Sequence, residues 1–140
     1  MRKLLLPIVI LLFVTSVAAK PRPHYRVVED SQERQQELSQ WYLGYNHQYF
    51  QDELPQDTVL SRDLHDDRFM ALTTYVDGRY HIQINPRYNE SRKSERIDIL
   101  HESCHVLMFI ENDYELDDHG PHWQACMHRL AHQGAFESLW

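Results

Sequence analysis

The spacing of apolar residues after position 30 predicts a helix. Within Leu38–Phe50, leucine and aromatic side chains recur every three or four positions and mark one face, which we interpret as core packing. Asp30 and Glu33 suit the start of this helix, since the aspartate can cap it and the glutamate can reach back. We expect the helix to end at Leu54, because the proline that follows disfavours helical backbone before it.

The middle of the chain changes to a pattern typical of strands. Phe69–Val76 is rich in strand-forming residues, and Arg79–Asn85 alternates apolar with polar side chains. Asp77-Gly78 lies between them and is a dipeptide that two-residue hairpin turns prefer. We therefore predict an antiparallel hairpin, with Thr58–Ser61 as a further short strand.

A second helical pattern follows the loop Pro86–Lys93. Ser94 suits the position that caps a helix, and Glu95 lies in the first turn, where the helix dipole favours a negative charge. At about 100° per residue, one apolar stripe contains Ile97, Leu100, Cys104, Leu107 and Met108. The polar residues His101, Glu102 and His105 lie beside this stripe. We expect the helix to bury its apolar stripe and to turn these three residues toward a cleft.

The end of the chain predicts a loop and one more helix. Asn112–Asp118 is acidic and loop-like, Gly120 permits a sharp turn, and Pro121 suits the first position of a helix. Apolar residues then recur at helical spacing up to Gly134: Trp123, Cys126, Met127 and Leu130. Together the elements predict a compact α+β domain with an N-terminal helix, a short antiparallel sheet with a hairpin, the motif helix and a C-terminal helix.

The N-terminus has the pattern of a secretory signal peptide. Arg2 and Lys3 give a positive start, Leu4–Val14 is apolar, and Val17–Ala19 offers small residues for cleavage. An uncleaved membrane anchor is the alternative, but the apolar stretch up to Ala19 is short for a bilayer span. We therefore expect cleavage after Ala19.

These features divide the chain into three parts. Residues 1–19 form the signal peptide, residues 20–29 an extended segment with two prolines, and residues 30–140 the domain. We expect the mature protein to be exported, in the periplasm or secreted, with no stable membrane anchor.

Charge argues against nucleic acid as a partner. The formal net charge is −7, and removal of Arg2 and Lys3 with the signal peptide makes it −9. An acidic surface repels phosphate backbones, so we expect a protein or peptide to be the partner instead.

Cys104 and Cys126 are the two cysteines of the chain and fall in separate predicted helices. Export would allow a disulfide between them, but both also suit the core as small buried residues. We favour core packing, since Cys104 lies on the apolar stripe.

The motif helix carries the candidate chemistry. His101 and His105 are four residues apart, so their imidazoles share a helix face and can bind one metal ion. Glu102, beside the first histidine, can take a proton from the attacking water. The chain contains 10 histidines, so this short motif alone stays a hypothesis.

A catalytic zinc needs a third protein ligand and an open position for water. In one common pattern the third ligand is a histidine six residues after the second motif histidine, with a glycine three residues after that same motif histidine. This chain has Glu111 and Met108 at those two positions, so the pattern does not apply. His119 lies at a loop-to-helix junction from which its ring can point back to the first two histidines. The competing histidines are His122, His128 and His132, of which the last two are spaced four apart.

The motif and its surroundings resemble the SprT-like zinc metallopeptidase domain, a zincin-like family. In that family an HExxH motif, often with cysteine before its second histidine, is followed by a histidine in an H-G-x-x-aromatic motif. The segments that carry the resemblance are His101–His105, His119–Trp123, Tyr45-Asn46, Tyr49-Phe50, Leu54-Pro55 and Ile82–Asn85. The resemblance implies His101, His105 and His119 as ligands of Zn²⁺ and Glu102 as the general base.

Departures from the family's better-known members bear on function. Those relatives act on DNA–protein crosslinks with basic surfaces or an added zinc ribbon, whereas this chain is acidic and has no Cys-x-x-Cys pair. We therefore expect an exported zinc metallopeptidase that hydrolyses peptide bonds with a zinc-activated water. Candidates for stabilising the oxyanion are His122, Tyr80 and His81, and Arg79–Asn85 is the candidate edge strand for substrate.

Two alternatives stay open. The first is a zinc-stabilised binding module of the cell envelope without turnover, with a fourth protein ligand such as His122 or Asp118. The second is a DNA-associated protease, which would require the N-terminal pattern to have another meaning.

Overall fold

The computed structural model describes residues 32–111 and 119–139. Within them the chain forms, in order, α1 (Gln32–Tyr49), β1 (Val59–Ser61), β2 (Ala71–Val76), β3 (Arg79–Ile84), α2 (Arg92–Ile110) and α3 (Pro121–His132). The α+β class and the order of its elements are confirmed. The predicted signal peptide, Asp30 and Asn112–Asp118 lie outside the described residues. No helix in the described ranges combines the length and apolar character needed to cross a membrane.

Helix α1 ends earlier than the proline predicted. It stops at Tyr49, because Gln51 and Asp52 adopt positive φ angles of 54° and 63° and reverse the chain. The buried Asn46 side chain holds this reversal, since its Nδ2 donates to the Leu54 carbonyl at 2.8 Å and its Oδ1 accepts from the Leu54 amide at 3.0 Å. The predicted end at Leu54 was therefore wrong.

The sheet has the order β1-β3-β2. Strands β2 and β3 form the predicted antiparallel hairpin, and Asp77 and Gly78 have φ angles of 51° and 81°, as a two-residue turn of this kind requires. Strand β1 instead pairs parallel with β3, so the sheet is mixed rather than wholly antiparallel. Because β3 is central, its predicted role as an edge strand was wrong, and β2 is the edge strand beside α2.

The N-cap of helix α2 lies three residues before the predicted one. Ser91 is the N-cap, and its Oγ accepts a hydrogen bond from the Ser94 amide at 3.1 Å. Ser94 returns a bond, since its Oγ accepts from the Ser91 amide at 3.3 Å. The two serines thus form a reciprocal capping box, in which Ser94 is the inner member.

Helix α2 is the centre of the core. It packs against α1, α3, β2 and β3. The predicted apolar stripe is buried at Leu100, Cys104, Leu107 and Met108 and half-buried at Ile97. The burial extends beyond that stripe, because Glu95, Glu102, Ser103 and Val106 are also buried. A helix enclosed on so many sides can hold its polar side chains in fixed positions.

The first turn of α2 carries a buried ion cluster. The side chain of Glu95 is fully buried, with Arg34 Nη2 2.6 Å from one carboxylate oxygen and Arg62 Nε 2.7 Å from the other. Two arginines from outside α2 therefore stabilise the negative charge of Glu95, in addition to the helix dipole expected at this position.

A disulfide bond joins Cys104 of α2 to Cys126 of α3. Both residues are buried in the hydrophobic core, as the preferred interpretation required, but they are oxidised and not free thiols. The bond fixes α3 against α2 one residue from His105.

Candidate metal centre

Three imidazoles converge beside α2. His101 and His105 lie one turn apart on the helix, and His119 reaches them from the junction before α3. One ring nitrogen of each can be chosen so that all three lie within 4.8 Å of one another. In the described part of the chain this is the one cluster of metal-binding side chains, and it does not include His122, His128 or His132.

The loop-to-helix junction explains the position of His119. Gly120 is the N-cap of α3 with φ −64° and ψ −175°, and Pro121 occupies the first turn. Gln124 then donates through Nε2 to the His119 carbonyl at 2.9 Å. Gly120 has an extended backbone that other residues can adopt, so the sharp glycine turn expected there is not seen.

Trp123 packs against all three histidines. Its ring centroid lies 4.7 Å from that of His101, 5.8 Å from His105 and 4.4 Å from His119. The sequence placed Trp123 only on an amphipathic helix face, although its position in the H-G-x-x-aromatic motif was the available signal. The indole limits the rotation of the imidazoles, because it occupies the space beside them.

His101 has the protonation state that a metal requires. Burial lowers the pKa of His101 to about 4, and the neighbouring His105 and His119 add to the shift. A neutral imidazole has a free nitrogen lone pair, whereas a protonated one cannot bind a cation. At neutral pH His101 is therefore available as a ligand.

Glu102 lies beside this cluster with its side chain almost completely buried. Its Oε1 is 3.9 Å from His101 Nε2, while its Oε2 accepts a hydrogen bond of 2.6 Å from Thr73 Oγ1. Burial raises the pKa of Glu102 to about 7, although the hydrogen bond from Thr73 opposes this shift. A carboxylate with a pKa near neutrality can both accept and return a proton.

A cleft of about 200 Å³ opens in front of these groups. Besides His101, Glu102, His105 and His119, it is lined by Phe69, Ala71, Leu72, Thr73 and Phe109. The first four of these residues belong to β2 and the segment that leads into it, so the edge strand forms one wall. None of the candidate oxyanion residues His122, Tyr80 and His81 lines this cleft within the described residues.

The donor set suits zinc. Two nitrogens bound to one tetrahedral zinc at about 2.0–2.1 Å would be about 3.3 Å apart. The Nε2 atoms of His101 and His119 lie 3.1 Å apart, close to that separation. Three protein ligands with an adjacent cleft are the arrangement of catalytic zinc sites, whereas structural sites have four.

Comparison with known families gives one match. The sequence model of the SprT-like family matches residues 38–138. This span includes most of α1, all three strands, α2 and α3, and therefore the three histidines and Glu102. No curated protein matches the chain.

Proposed function

The chain belongs to the SprT-like family, and on that premise we propose that it is a zinc metallopeptidase that hydrolyses protein or peptide substrates. The observation that carries the proposal is the placement of Glu102. A buried carboxylate with a raised pKa lies next to three convergent imidazoles and borders an open cleft. A site that only stabilised the fold would have no need of such a group.

His101, His105 and His119 are the proposed zinc ligands. Bound there, zinc would act as a Lewis acid toward the scissile carbonyl and lower the pKa of a coordinated water toward about 7. The packing of Trp123 and the disulfide between α2 and α3 hold the ligands of α2 and of the junction before α3 in place.

Glu102 is the proposed general base. Its Oε1 faces the histidine cluster and takes a proton from the attacking water as the new carbon–oxygen bond forms. The same oxygen then delivers the proton to the amide nitrogen when the carbon–nitrogen bond breaks. In the metal-free protein this carboxyl has a pKa of about 7, so it accepts and releases a proton near neutral pH.

The substrate is proposed to lie extended along β2. This strand pairs only with β3 among the described strands, so its other edge offers backbone donors and acceptors to an extended peptide. Phe69, Leu72 and Phe109 supply apolar surface at the same cleft. This assignment replaces the sequence-based choice of Arg79–Asn85.

Export to the periplasm or the exterior is part of the proposal. It is supported by the signal-like pattern of residues 1–19 and by the Cys104–Cys126 disulfide, since such bonds persist in oxidising compartments. The acidic composition further disfavours the DNA-associated alternative. The mass of the protein recovered from its producing cells tests this point, since cleavage after Ala19 fixes the expected value.

The test compares wild type with Glu102→Gln. We expect one zinc per chain in both proteins, and a loss of casein hydrolysis by roughly 10²- to 10⁴-fold in the variant, because glutamine cannot accept the proton. Glu137→Gln is the matched control, since Glu137 is exposed outside the site. Equal hydrolysis by Glu102→Gln and wild type would contradict the assignment of the base.

The same experiment distinguishes the proposed peptidase from the non-catalytic binding module. A closed zinc site needs a fourth protein ligand, and His122 is not part of the cluster, while Asp118 lies outside the described residues. Stoichiometric zinc without hydrolysis of any unfolded protein by wild type would favour the binding module.

A further inference from the structure

Thr73 is a buried polar residue in the middle of the edge strand. It pairs with Ile82 of β3, and its side chain points toward α2 with a relative exposure of 8%. Valine has nearly the same shape, suits a strand equally well and carries no hydroxyl to desolvate. The presence of a threonine where valine would fit is therefore explained by the contact that the hydroxyl makes.

That contact is with Glu102. Thr73 Oγ1 lies 2.6 Å from Glu102 Oε2 and 3.3 Å from the backbone carbonyl oxygen of the same residue. A threonine hydroxyl has one proton, and a short bond to a carboxylate is the stronger of the two choices. The proton is thus directed to Oε2.

The hydrogen bond makes the two oxygens of the carboxylate different. Oε2 is tied to the sheet, and Oε1 is left on the side of His101, 3.9 Å from its Nε2. Since the terminal torsion of a glutamate is soft, its carboxylate would otherwise rotate between orientations. Only the orientation in which Oε2 accepts the hydrogen bond from Thr73 also directs Oε1 to the histidine cluster.

We propose that Thr73 is a positioning residue for Glu102, and that its hydroxyl selects Oε1 as the oxygen that carries the proton during hydrolysis. This inference rests on the proposed function, because it assigns a role within the same reaction. Thr73 acts through Glu102 and takes no proton itself. Its position on β2 also links the strand proposed to bind substrate to the base that acts on it.

The first experiment compares Thr73→Val with Thr73→Ser. Valine keeps the shape and removes the donor, so we expect kcat to fall by roughly 10- to 100-fold with zinc stoichiometry unchanged. KM should stay within about twofold, since the lost interaction acts on the base and not on substrate binding. Serine keeps the hydroxyl and should restore most of kcat.

Thr58→Val is the matched control for the general effect of losing a buried hydroxyl. Thr58 has a relative exposure of 7%, and its hydroxyl bonds to Tyr42 and to the Pro55 carbonyl, away from the cleft. Its replacement should lower stability and leave kcat unchanged. A kcat for Thr73→Val equal to that of Thr58→Val would overturn the role of Thr73.

A second experiment uses the metal-free protein and needs no activity. In urea unfolding, Thr73→Val should lower the midpoint clearly when Glu102 is present and much less in a Glu102→Ala background. Equal shifts in both backgrounds would show that the two side chains are not coupled and would overturn the proposal. Failure of wild type to hydrolyse any substrate would instead overturn the proposed function, so the two failures are distinguishable.

Discussion

The Nε2 atoms of His101 and His119 lie 3.1 Å apart, although one residue is on α2 and the other precedes α3. At this distance the two nitrogens share one hydrogen, or both direct a lone pair at one cation. Protonation of both rings would bring two positive charges into contact. The low pKa of His101 agrees with this arrangement, because its causes are burial and then the neighbouring histidines.

Replacing His119 with glutamine is expected to remove one ligand while leaving α2 intact. Zinc affinity should fall by more than roughly 100-fold, beyond the loss typical of residues that only support a ligand. Competition with a chelator of known affinity measures the change. His128→Gln is the control, since His128 is exposed on α3 outside the cluster, and an equal loss in both variants would contradict the assignment.

In the metal-free protein, the difference in unfolding free energy between wild type and Glu102→Gln should depend on pH. The pKa of Glu102 rises from 4.5 to about 7 on folding, so its contribution to stability is present below pH 4.5 and is lost as pH rises through about 7. Glutamine stays neutral throughout. As pH rises from 4.5 to about 8, we therefore expect the unfolding free energy of the variant to increase by about 3 kcal/mol relative to that of wild type.

Urea unfolding in the presence of a chelator at several pH values measures this difference. Other titrating groups are common to both proteins and cancel in the comparison. A difference that does not change with pH would show that Glu102 has an ordinary pKa in the fold.

Reduction of the disulfide should destabilise the domain. Cys104 and Cys126 are 22 residues apart, and closing a loop of that length is worth about 3 kcal/mol through the entropy of the unfolded chain. Because the closed loop contains His105 and His119, zinc affinity should fall as well. A variant with alanine at both cysteines should match the reduced protein and no longer respond to dithiothreitol.

Glu95→Gln should be among the more damaging single substitutions in the core. It leaves Arg62 and Arg34 without their buried counter-charge, which typically costs about 3–5 kcal/mol. Glu37→Gln is the matched control, since Glu37 also pairs with Arg34 but is partly exposed, and its loss should cost at most about 1 kcal/mol. Thermal or urea unfolding of the two variants checks the contrast.

Local patterns were sufficient to predict most of the elements. The hairpin follows from Asp77-Gly78 between two strand-forming segments, and α2 follows from its apolar stripe, because turn chemistry and periodicity act over a few residues. The sequence also predicts the three histidines as one group, and the structure brings them together. Their role as ligands stays a prediction.

Relations across the fold were not visible in the sequence. The parallel pairing of β1 with β3, and with it the edge position of β2, depends on which strands meet in space. The same holds for the bond between Thr73 and Glu102, which are 29 residues apart. Oxidation of Cys104 and Cys126 depends on two helices packing closely enough, and burial alone fits a thiol equally well.

The turn at Asp77-Gly78 determines more than the path of the hairpin. Side chains alternate between the two faces of a strand, so a slip of one residue against β3 would exchange the faces of β2. A slip in one direction would bring Leu72 to the place of Thr73 toward α2, and a turn insertion that produces this slip is expected to lower kcat even if zinc still binds. The two-residue turn with its positive φ angles therefore sets the register of β2. That register determines whether the hydroxyl of Thr73 or another side chain contacts the carboxylate of Glu102.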